Sequence, residues 1–409
     1  MTKQNTFLND LRNEAITGVA YKNLMLKKQI LEYFANISDA TITDLSKGLN
    51  ASIPKINELV VALIEDGLVK DSGKTEVGIG RRPSLYGLKS NSIFFVGVEV
   101  KKSHVNIGLS DFKKNLIKSV KRIPFQLTNS QASLDDLCII IDDFIKSLAL
   151  AENIAGIGVN LTGRINYKTG YSYSFFHFNE EPLSVIIKDK IGIRTYIEND
   201  SRAMAYGEFC SGIVDKEKNI LFVNLDYGIG LGIMINGELY YGKSGFAGEF
   251  GHIQIFNNEI ICHCGKKGCL ETEASGSALL EAFKIRLQQG ASSIITKDRP
   301  DFNDIQLEDI IQAANNDDTL AIELIAEIGE KLGRGIAALI NLFNPELVIL
   351  GGSLSATGDY LFLPVKSAIN KYSLSLVNND TELKMSKLGE NAGIIGACLL
   401  VRERLLELK

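Results

Sequence analysis

Residues 252 to 269 contain the side chains that bind metals most readily. His252 falls here together with three of the six cysteines, Cys262, Cys264 and Cys269. Zn2+ prefers sulfur and nitrogen ligands in a tetrahedron, and a shell of four protein ligands is structural rather than hydrolytic. The alternative is three ordinary buried thiols, which the crowding of half the cysteines into one short stretch disfavours. The spacing therefore predicts a structural zinc ion (Zn2+) within segment 248–271.

Two carboxylates accompany this segment. Glu249 lies three residues before His252, and Glu271 follows shortly after Cys269. A metal bound here would hold the surrounding loop rigid and thereby orient both carboxylates. Two carboxylates fixed beside a rigid metal site are acceptors held in place, so the pair indicates a hydroxyl-binding site.

The composition is that of an ordinary soluble protein with room for two or three domains. The 409 residues are 45% hydrophobic and 23% charged, with a formal net charge of -5. That charge argues against non-specific nucleic-acid binding by the whole chain. Residues 1–90 nevertheless carry twelve basic against ten acidic residues, a balance of +2, and the remainder carries -7. This offset is compatible with a small DNA reader on a larger acidic sensor.

The remaining cysteines and the apolar stretches predict a cytoplasmic protein. Cys138, Cys210 and Cys398 are far apart, as expected of free thiols in a reducing compartment. The first fifteen residues lack an apolar signal core, and the longest apolar stretch, 336–350, is interrupted by Asn, Pro and Glu. Such a stretch cannot span a bilayer, so we expect no membrane insertion.

Helical periodicity predicts a small head near the N-terminus. Apolar residues recur at helical spacing over 22–34, a short capped helix follows, and a third helix covers 52–68 with Ser52 as its cap. Two strand-like pieces around glycine-rich turns complete the pattern. Helix, short helix, longer helix and β-wing form a winged helix-turn-helix. We assign it to residues 21–89, after an N-terminal extension of residues 1–20.

The third helix of this head would enter the major groove of DNA with its N-terminal side chains facing the bases. Ser52, Lys55 and Asn57 are the polar candidates there, and Lys55 can also contact phosphate. Arg81 and Arg82 on the wing would meet phosphates or the minor groove. The alternative is a helical interaction domain with a solvated basic loop, but the Gly-Arg-Arg-Pro sequence of the wing favours DNA.

The rest of the chain alternates strands and helices in a repeated scheme. Three strand-like runs precede a helix near 134–151 and a buried strand that ends in a glycine turn at 155–163. The scheme recurs from 219–242 and again leads to helices and a buried strand at 346–352. Such duplication predicts an α/β body over residues 90–409. Its two lobes would follow the ribonuclease H-like scaffold of actin and the sugar kinases, with a cleft between them.

Six short motifs stand out along the chain: GRRP at 80–83, TGRIN at 162–166, END at 198–200, GEFGH at 248–252, CHCGKKGCLE at 262–271 and NPELVILGG at 344–352. Together they resemble the ROK family, named for repressors, open reading frames and kinases. The resemblance covers residues 20–405. It is to the transcriptional-repressor branch, whose members respond to xylose, N-acetylglucosamine or glucose.

The resemblance implies a sugar site. The family's sugar-binding positions map onto these residues of the chain: Gly163, Arg164, Asn199, Asp200, Glu249, His252 and Glu271. Gly163 and Arg164 fall in the loop that closes over the sugar, and Asp200 corresponds to the catalytic base of the family's kinases. For each carboxylate the alternative is a solvated surface charge.

Two turns that hold phosphate in the family's kinases are altered here. The first, Asp-x-Gly-Gly-Thr in the kinases, begins at Glu99 and has Lys101 and Lys102 in place of both glycines, which obstructs close backbone approach. The second, Gly-Thr-Gly in the kinases, begins with Asp226, whose carboxylate would repel phosphate. We therefore expect no enzymatic activity, with Asp200 as a relic base. Because the lysines can attract phosphate, residual ATP binding stays open.

The resulting hypothesis is a sugar-responsive repressor of carbohydrate metabolism genes. A monosaccharide resembling glucose, N-acetylglucosamine or xylose would bind between the lobes and alter the spacing of two heads on a palindromic operator. The family implies a homodimer or homotetramer. Two rivals stay open: a ROK sugar kinase with an appended DNA-binding domain, and a repressor controlled by a protein partner. The sequence also leaves open whether the sugar releases or promotes DNA binding.

Overall fold

The computed structural model describes residues 6–12, 15–37, 39–74, 83–148, 153–297 and 302–406. The helices are α1 Thr6–Arg12, α2 Gly18–Ile37, α3 Ile42–Gly48, α4 Ile53–Glu65, α5 Gln131–Lys146, α6 Leu183–Ile191, α7 Asp200–Ser211, α8 Glu271–Ala274, α9 Gly276–Gln288, α10 Leu307–Asn315, α11 Thr319–Phe343, α12 Asp359–Tyr372, α13 Ser375–Asn379 and α14 Ala392–Leu406. The strands are β1 Val69–Lys74, β2 Ser84–Leu88, β3 Phe94–Val100, β4 His104–Asp111, β5 Leu116–Pro124, β6 Ile154–Leu161, β7 Ile165–Asn166, β8 Tyr171–Ser172, β9 Thr195–Asn199, β10 Ile220–Leu225, β11 Ile229–Ile235, β12 Glu238–Leu239, β13 Leu347–Gly351 and β14 Glu382–Met385.

Helices α2 to α4 and the antiparallel hairpin of β1 and β2 form the N-terminal head. α3 begins at a capping box: the Thr41 hydroxyl accepts from the Asp44 N–H, and the Asp44 carboxylate accepts from the Thr41 N–H. The interior is apolar, with these side chains buried: Ile30, Leu31, Phe34, Ile56, Val60 and Leu63. The order of three helices and a hairpin is the one that the sequence predicts.

Two local details differ from the sequence-based expectations, and one expectation concerns residues outside the described ones. Ser52 occupies the N-cap of α4, but its side chain makes no capping hydrogen bond to any described residue; the first turn contains a proline instead, whose missing N–H needs no partner there. α5 begins at Gln131, three residues early, because the Ser130 side chain accepts from the Ser133 N–H, and it ends at Lys146. Arg81 and Arg82 lie outside the described residues.

α1 falls within the predicted N-terminal extension and is part of the packed head. Phe7, Leu8 and Leu11 are all buried. The N–H and the hydroxyl of Thr6 both donate to Oδ1 of Asp66, the residue that ends α4. The apolar side of α1 therefore adds to the core of the head.

The chain forms two compact units. The first contains residues 1–161, 167–198 and 397–409, and the second contains 162–166 and 199–396. The head shares the first unit with a sheet of order β5-β4-β3-β6-β9, and the second unit holds a sheet of order β12-β11-β10-β13-β14. In the first unit's sheet, β3 pairs antiparallel with β4 and parallel with β6. In the second unit's sheet, β10 pairs in the same way with β11 and β13. The predicted duplication of an α/β scheme is confirmed in these two mixed sheets.

Helix α14 belongs to both units. Its residues up to Gly396 lie in the second unit and those from Ala397 onwards lie in the first. A Cβ added at Gly158 of β6 would stand 2.3 Å from the Ala397 carbonyl oxygen, and one at Gly396 would stand 1.8 Å from the Ala203 carbonyl oxygen. Backbone therefore meets backbone along this helix, which leaves no room for a side chain at either glycine. Among the described helices, none is long and apolar enough to cross a membrane.

We expect Gly158→Ala to lower the free energy of unfolding by about 1–3 kcal/mol, because the new methyl group must displace the backbone of α14. Urea unfolding followed by circular dichroism measures the change. Ser119→Ala, on the exposed strand β5, is the control and should change it by less than about 0.5 kcal/mol. Equal losses in the two variants would contradict the close approach.

Candidate functional site

The histidine and the three cysteines of the predicted metal site come together in the second unit. Their ligand atoms all lie within 4.8 Å of one another. Cys262 Sγ is 3.6 Å from His252 Nδ1, and Cys264 Sγ is 3.7 Å from Cys269 Sγ. The turn is closed by the Cys262 N–H, which donates to the Lys266 carbonyl, and by the Gly265 N–H, which donates to the Cys262 carbonyl, both at 2.8 Å. This donor set can hold a metal ion.

The protonation of these thiols bears on how a metal would bind. Burial raises the pKa of Cys262, and it raises the pKa of Cys269 to about 12. Without a metal both groups are therefore thiols at neutral pH. A metal ion must displace those protons, because the thiolate is the ligand.

His252 lies between the cluster's cysteines and the carboxylate of Glu249. Its Nδ1 faces Cys262, and its Nε2 lies 3.8 Å from Glu249 Oε2. A metal bound through Nδ1 would fix the ring plane and with it the direction of Nε2. The Glu249 side chain is about half exposed, at 47%, so it can reach a ligand from solution.

Glu271 is held more tightly. Its Oε2 accepts from the Ile229 N–H at 3.1 Å, and its Oε1 lies 2.9 Å from Nδ1 of His263. A Cβ at Gly228 or Gly251 would stand 2.8 Å or 3.1 Å from Oε2, so both glycines make room for the carboxylate. The sequence analysis missed His263, although its position between two cysteine ligands places it beside the cluster.

Asn199 and Asp200 form a second group at the start of α7. The Asn199 side-chain oxygen accepts from the Arg202 N–H and caps the helix, while its amide nitrogen donates to the Gly163 carbonyl at 3.1 Å and to Asp200 Oδ1 at 3.0 Å. Asp200 Oδ1 also accepts from the N–H and the hydroxyl of Ser201. The carboxylate is thus oriented by three donors before any ligand arrives. Arg164 is exposed in the same loop as Gly163.

Two buried polar residues that the sequence analysis missed support this second group. Arg202 is 4% exposed and donates to the carbonyls of Gly245 and Ile165, at 2.8 Å and 3.1 Å. It thereby ties the 162–166 loop to the loop that leads to Glu249. Asn224, 3% exposed, donates to the Ser201 hydroxyl at 3.1 Å, which extends the chain of hydrogen bonds from Asp200 into β10. A buried arginine two residues after an Asn-Asp pair leaves no periodic pattern that would reveal it.

The start of β11 is where the two groups approach each other. The Ile229 N–H donates to Glu271, and a Cβ on the next residue, Gly230, would stand 1.9 Å from the Ser201 hydroxyl. All seven predicted sugar-site positions lie in the second unit. The carboxylates of Asp200, Glu249 and Glu271 could there present acceptors to a polyhydroxylated ligand.

The two altered turns carry their own internal charges. Lys101 Nζ lies 3.2 Å from Glu99 Oε1, and the Asn106 amide donates to Glu99 Oε2 at 2.7 Å. Asp226 Oδ1 accepts from the Tyr227 N–H and from the Ser353 hydroxyl, each at 3.0 Å. In both turns, donors or charges that a phosphate would use are engaged by a side chain of the chain itself.

Three of the predicted DNA-contacting residues, Ser52, Lys55 and Asn57, lie at the N-terminal end of α4. Ser52 and Asn57 are exposed, and Lys55 Nζ is 2.8 Å from Glu58 Oε1 in an exposed ion pair. Such a pair contributes little stability, so the lysine can exchange it for another anion. Ile56 and Leu59 on the opposite side of the helix are buried.

Two curated relatives that are named as regulators align with nearly the whole chain. The xylose repressor of Bacillus subtilis is 29% identical over 401 residues, 98% of this chain and 99% of its own length. The DNA-binding transcriptional dual regulator NagC of Escherichia coli is 28% identical and covers 92% of this chain and 91% of its own. A glucokinase of Halalkalibacterium halodurans is 32% identical over 62% of this chain and 77% of its own length.

Solved structures give the same picture. A ROK family transcriptional regulator, described as a homologue of the Escherichia coli MLC protein, matches with a TM-score of 0.78 and 26% identity over 94% of this chain and 97% of its own. A Streptomyces griseus ROK glucokinase in complex with glucose and AMPPNP matches with a TM-score of 0.68 and 25% identity over 75% of this chain and 98% of its own. Residues 95–404 match the ROK family as a whole. The chain therefore belongs to the ROK family.

Proposed function

We propose that this chain is a sugar-responsive, DNA-binding repressor of carbohydrate metabolism genes. One observation carries the proposal: a complete ROK body follows a head of three helices and a hairpin, and relatives that align over this full length are named repressors or transcriptional regulators. The glucokinase relative aligns over 62% of the chain only. The arrangement favours a regulator over an enzyme.

The proposed sugar site consists of Gly163, Arg164, Asn199, Asp200, Glu249, His252 and Glu271. Asp200 and Glu271 are each held by backbone and side-chain donors, so they offer preorganised acceptors to hydroxyl groups. The names of the relatives and the glucose-bound structure support a xylose-, glucose- or N-acetylglucosamine-like ligand.

The proposed metal is a structural Zn2+ held by His252, Cys262, Cys264 and Cys269. Zn–S bonds of about 2.3 Å and Zn–N bonds of about 2.0–2.1 Å in a tetrahedron put two sulfurs about 3.8 Å apart and sulfur and nitrogen about 3.5 Å apart. The observed separations of 3.7 Å and 3.6 Å agree with these values. When bound, the ion would supply rigidity, and the chain would use it to aim His252 towards Glu249 and the sugar.

We propose that the body senses and does not phosphorylate its sugar. Transfer of phosphate depends on turns that cradle phosphate oxygens with backbone N–H groups. Here the Tyr227 N–H and the Ser353 hydroxyl donate to Asp226, and Lys101 pairs with Glu99. A nucleotide would have to displace a carboxylate from one turn and meet an ion pair at the other.

The proposed DNA reader is the winged helix-turn-helix of residues 21–89, on a sugar-binding body of residues 90–409. Ser52, Lys55 and Asn57 would face the base edges from the first turns of α4, and Arg81 and Arg82 would contact the backbone or minor groove. A palindromic operator requires two heads, so we propose a homodimer or a homotetramer. Binding to chromosomal DNA would place the protein in the cytoplasm of cells such as those of its relatives.

The sugar proposal is tested by thermal unfolding with D-xylose, D-glucose, N-acetyl-D-glucosamine and their phosphates. A sugar at a hundred times its Kd should stabilise the fold by about 2.7 kcal/mol. Asp200→Asn and Glu249→Gln should each weaken that sugar at least tenfold, because hydrogen bonds to charged groups contribute about 1.5–3 kcal/mol.

Glu281→Gln, an exposed carboxylate change on α9, is the matched control and should leave sugar affinity unchanged. A chain that no sugar stabilises, in wild-type form as well as in the variants, would refute the sugar site. ATP-dependent phosphorylation of the bound sugar, abolished in Asp200→Asn, would establish the kinase alternative. Release of DNA on adding a protein partner, without sugar, would establish the alternative of a repressor controlled by a protein partner.

The zinc proposal predicts one zinc ion per chain in freshly purified protein, measured by atomic emission. Cys264→Ser should remove it and lower the free energy of unfolding by about 4 kcal/mol, because structural zinc contributes directly to folding. Cys210→Ser, outside the cluster, should keep both the zinc and the stability. Protein without zinc that is as stable as the wild type would overturn the assignment.

The DNA proposal predicts how salt affects binding to a duplex selected by the wild-type chain from a random-sequence pool. Lys55→Ala should weaken binding and reduce the slope of log K against log salt by about 1, and Arg81→Ala with Arg82→Ala should reduce it by about 2. Lys146→Ala removes an exposed positive charge from α5 and is the control. If Lys55→Ala and the Arg81/Arg82 double variant both keep the wild-type slope, as the control should, the head does not read DNA as proposed.

A further inference from the structure

The C-terminal end of α14 carries two arginines, Arg402 and Arg404, that are largely withdrawn from solvent. Arg402 is 7% exposed, and the side chain of Arg404 is 13% exposed. Both residues lie in the first unit, the one that contains the head. Arginine is seldom buried without an ion pair or a stacking partner, so each must have a specific reason to be there.

Arg404 holds the strand that leads into the sugar site. Its guanidinium forms an ion pair with Glu198, donates to the Ile197 carbonyl at 3.2 Å, and lies 4.7 Å from the centre of the Tyr167 ring. Glu198 is 3% exposed and directly precedes Asn199 and Asp200. The end of β9 is therefore fixed by a buried, charge-assisted contact, which breaks at a high cost when one partner is removed.

Arg402 faces the head. Its guanidinium lies 5.6 Å from the centre of the Phe112 ring, and the Phe112 N–H donates to the Ser90 carbonyl at 3.1 Å, just after β2. The next hydrogen bond, from Lys89 N–H to the Leu68 carbonyl at 2.9 Å, joins this point to the end of α4. Glu32 of α2 is nearby: burial raises its pKa, and the charge of Arg402 opposes that rise.

We infer that the C-terminal end of α14 couples the sugar residues Asn199 and Asp200 to the DNA-binding head. Arg404 is the positioning residue on the sugar side, and Arg402 is the contact on the head side. The inference rests on the proposed function and names its regulation. A helix is rigid over one turn, so a shift of Glu198 that accompanies sugar binding moves Arg404 and Arg402 together. The contacts of Arg402 then carry that shift to Phe112 and Ser90.

A structural role alone and a coupling role make different predictions. A merely structural ion pair would lower stability when broken but leave the effect of sugar on DNA binding intact. A coupling pair sets the ratio of DNA affinities with and without sugar, in whichever direction the sugar acts. That ratio is therefore the decisive measurement.

The experiment measures the Kd of the full chain for its selected duplex, with and without D-xylose, D-glucose or N-acetyl-D-glucosamine, together with the Kd for the sugar. Arg404→Gln and Glu198→Gln should each bring the ratio of DNA affinities to within about twofold of one. The double variant should lose no more of the sugar's effect on DNA affinity than either single variant, because the two residues act through one interaction. DNA affinity without sugar should stay within about threefold of wild type. Arg286→Gln, which removes an exposed ion pair with Glu323 in the second unit, is the matched control and should keep the wild-type ratio.

Retention of the wild-type ratio in Arg404→Gln, even with a lower melting temperature, overturns the inference and leaves the proposed function intact. A wild-type chain that binds sugar and DNA without any mutual effect overturns both. Should Arg404→Gln fail to fold, Arg404→Lys decides. Lysine keeps the charge but loses the forked pair of donors, so at least half of the coupling should disappear. Full coupling in that variant overturns the inference.

Discussion

Asn199 joins two separate segments of backbone and one carboxylate. Its side-chain oxygen caps α7, and its amide nitrogen reaches both the Gly163 carbonyl and the Asp200 carboxylate. The cap satisfies a helix N–H that would otherwise lack a partner, and the same residue brings the 162–166 loop against the start of the helix. Asp200, Ser201 and Arg202 then take their positions from the helix that this cap begins. Without Asn199, the carboxylate group and the loop would each have to be placed independently.

Much of the architecture could be predicted from local patterns. The zinc-type spacing predicted that His252, Cys262, Cys264 and Cys269 come together, and the alternation of apolar runs predicted the duplicated sheets, because both depend on neighbours in sequence. The polar support of the site could not be found this way. The hydrogen bonds of Arg202 and Asn224 go to partners that are distant in sequence. The contact of His263 with Glu271 depends on how the loop between them turns back. The position of α1 was missed for a related reason: seven residues are too few to show a helical period.

The altered turns differ from phosphate-binding turns in the charges that they contain. Asp226 accepts from the Tyr227 N–H and the Ser353 hydroxyl, and Lys101 balances the charge of buried Glu99. The internal contacts therefore satisfy the polar groups of both turns within the protein itself. Asp200 and Glu271 of the second unit instead take their positions from contacts with α7, α8 and β11.

The path of the chain between its two units governs the order in which they can be completed during synthesis. The second unit is almost one continuous segment, 199–396, whereas the first unit draws on segments before and after it. As the chain emerges from the ribosome, the second unit can close as soon as residue 396 is free. The first unit, with the sheet beside the head, must wait for residues 397–406 to supply the helix that packs on Gly158. A nascent chain can thus fold the second unit, including the cluster of His252 and three cysteines, before the first unit has its last helix.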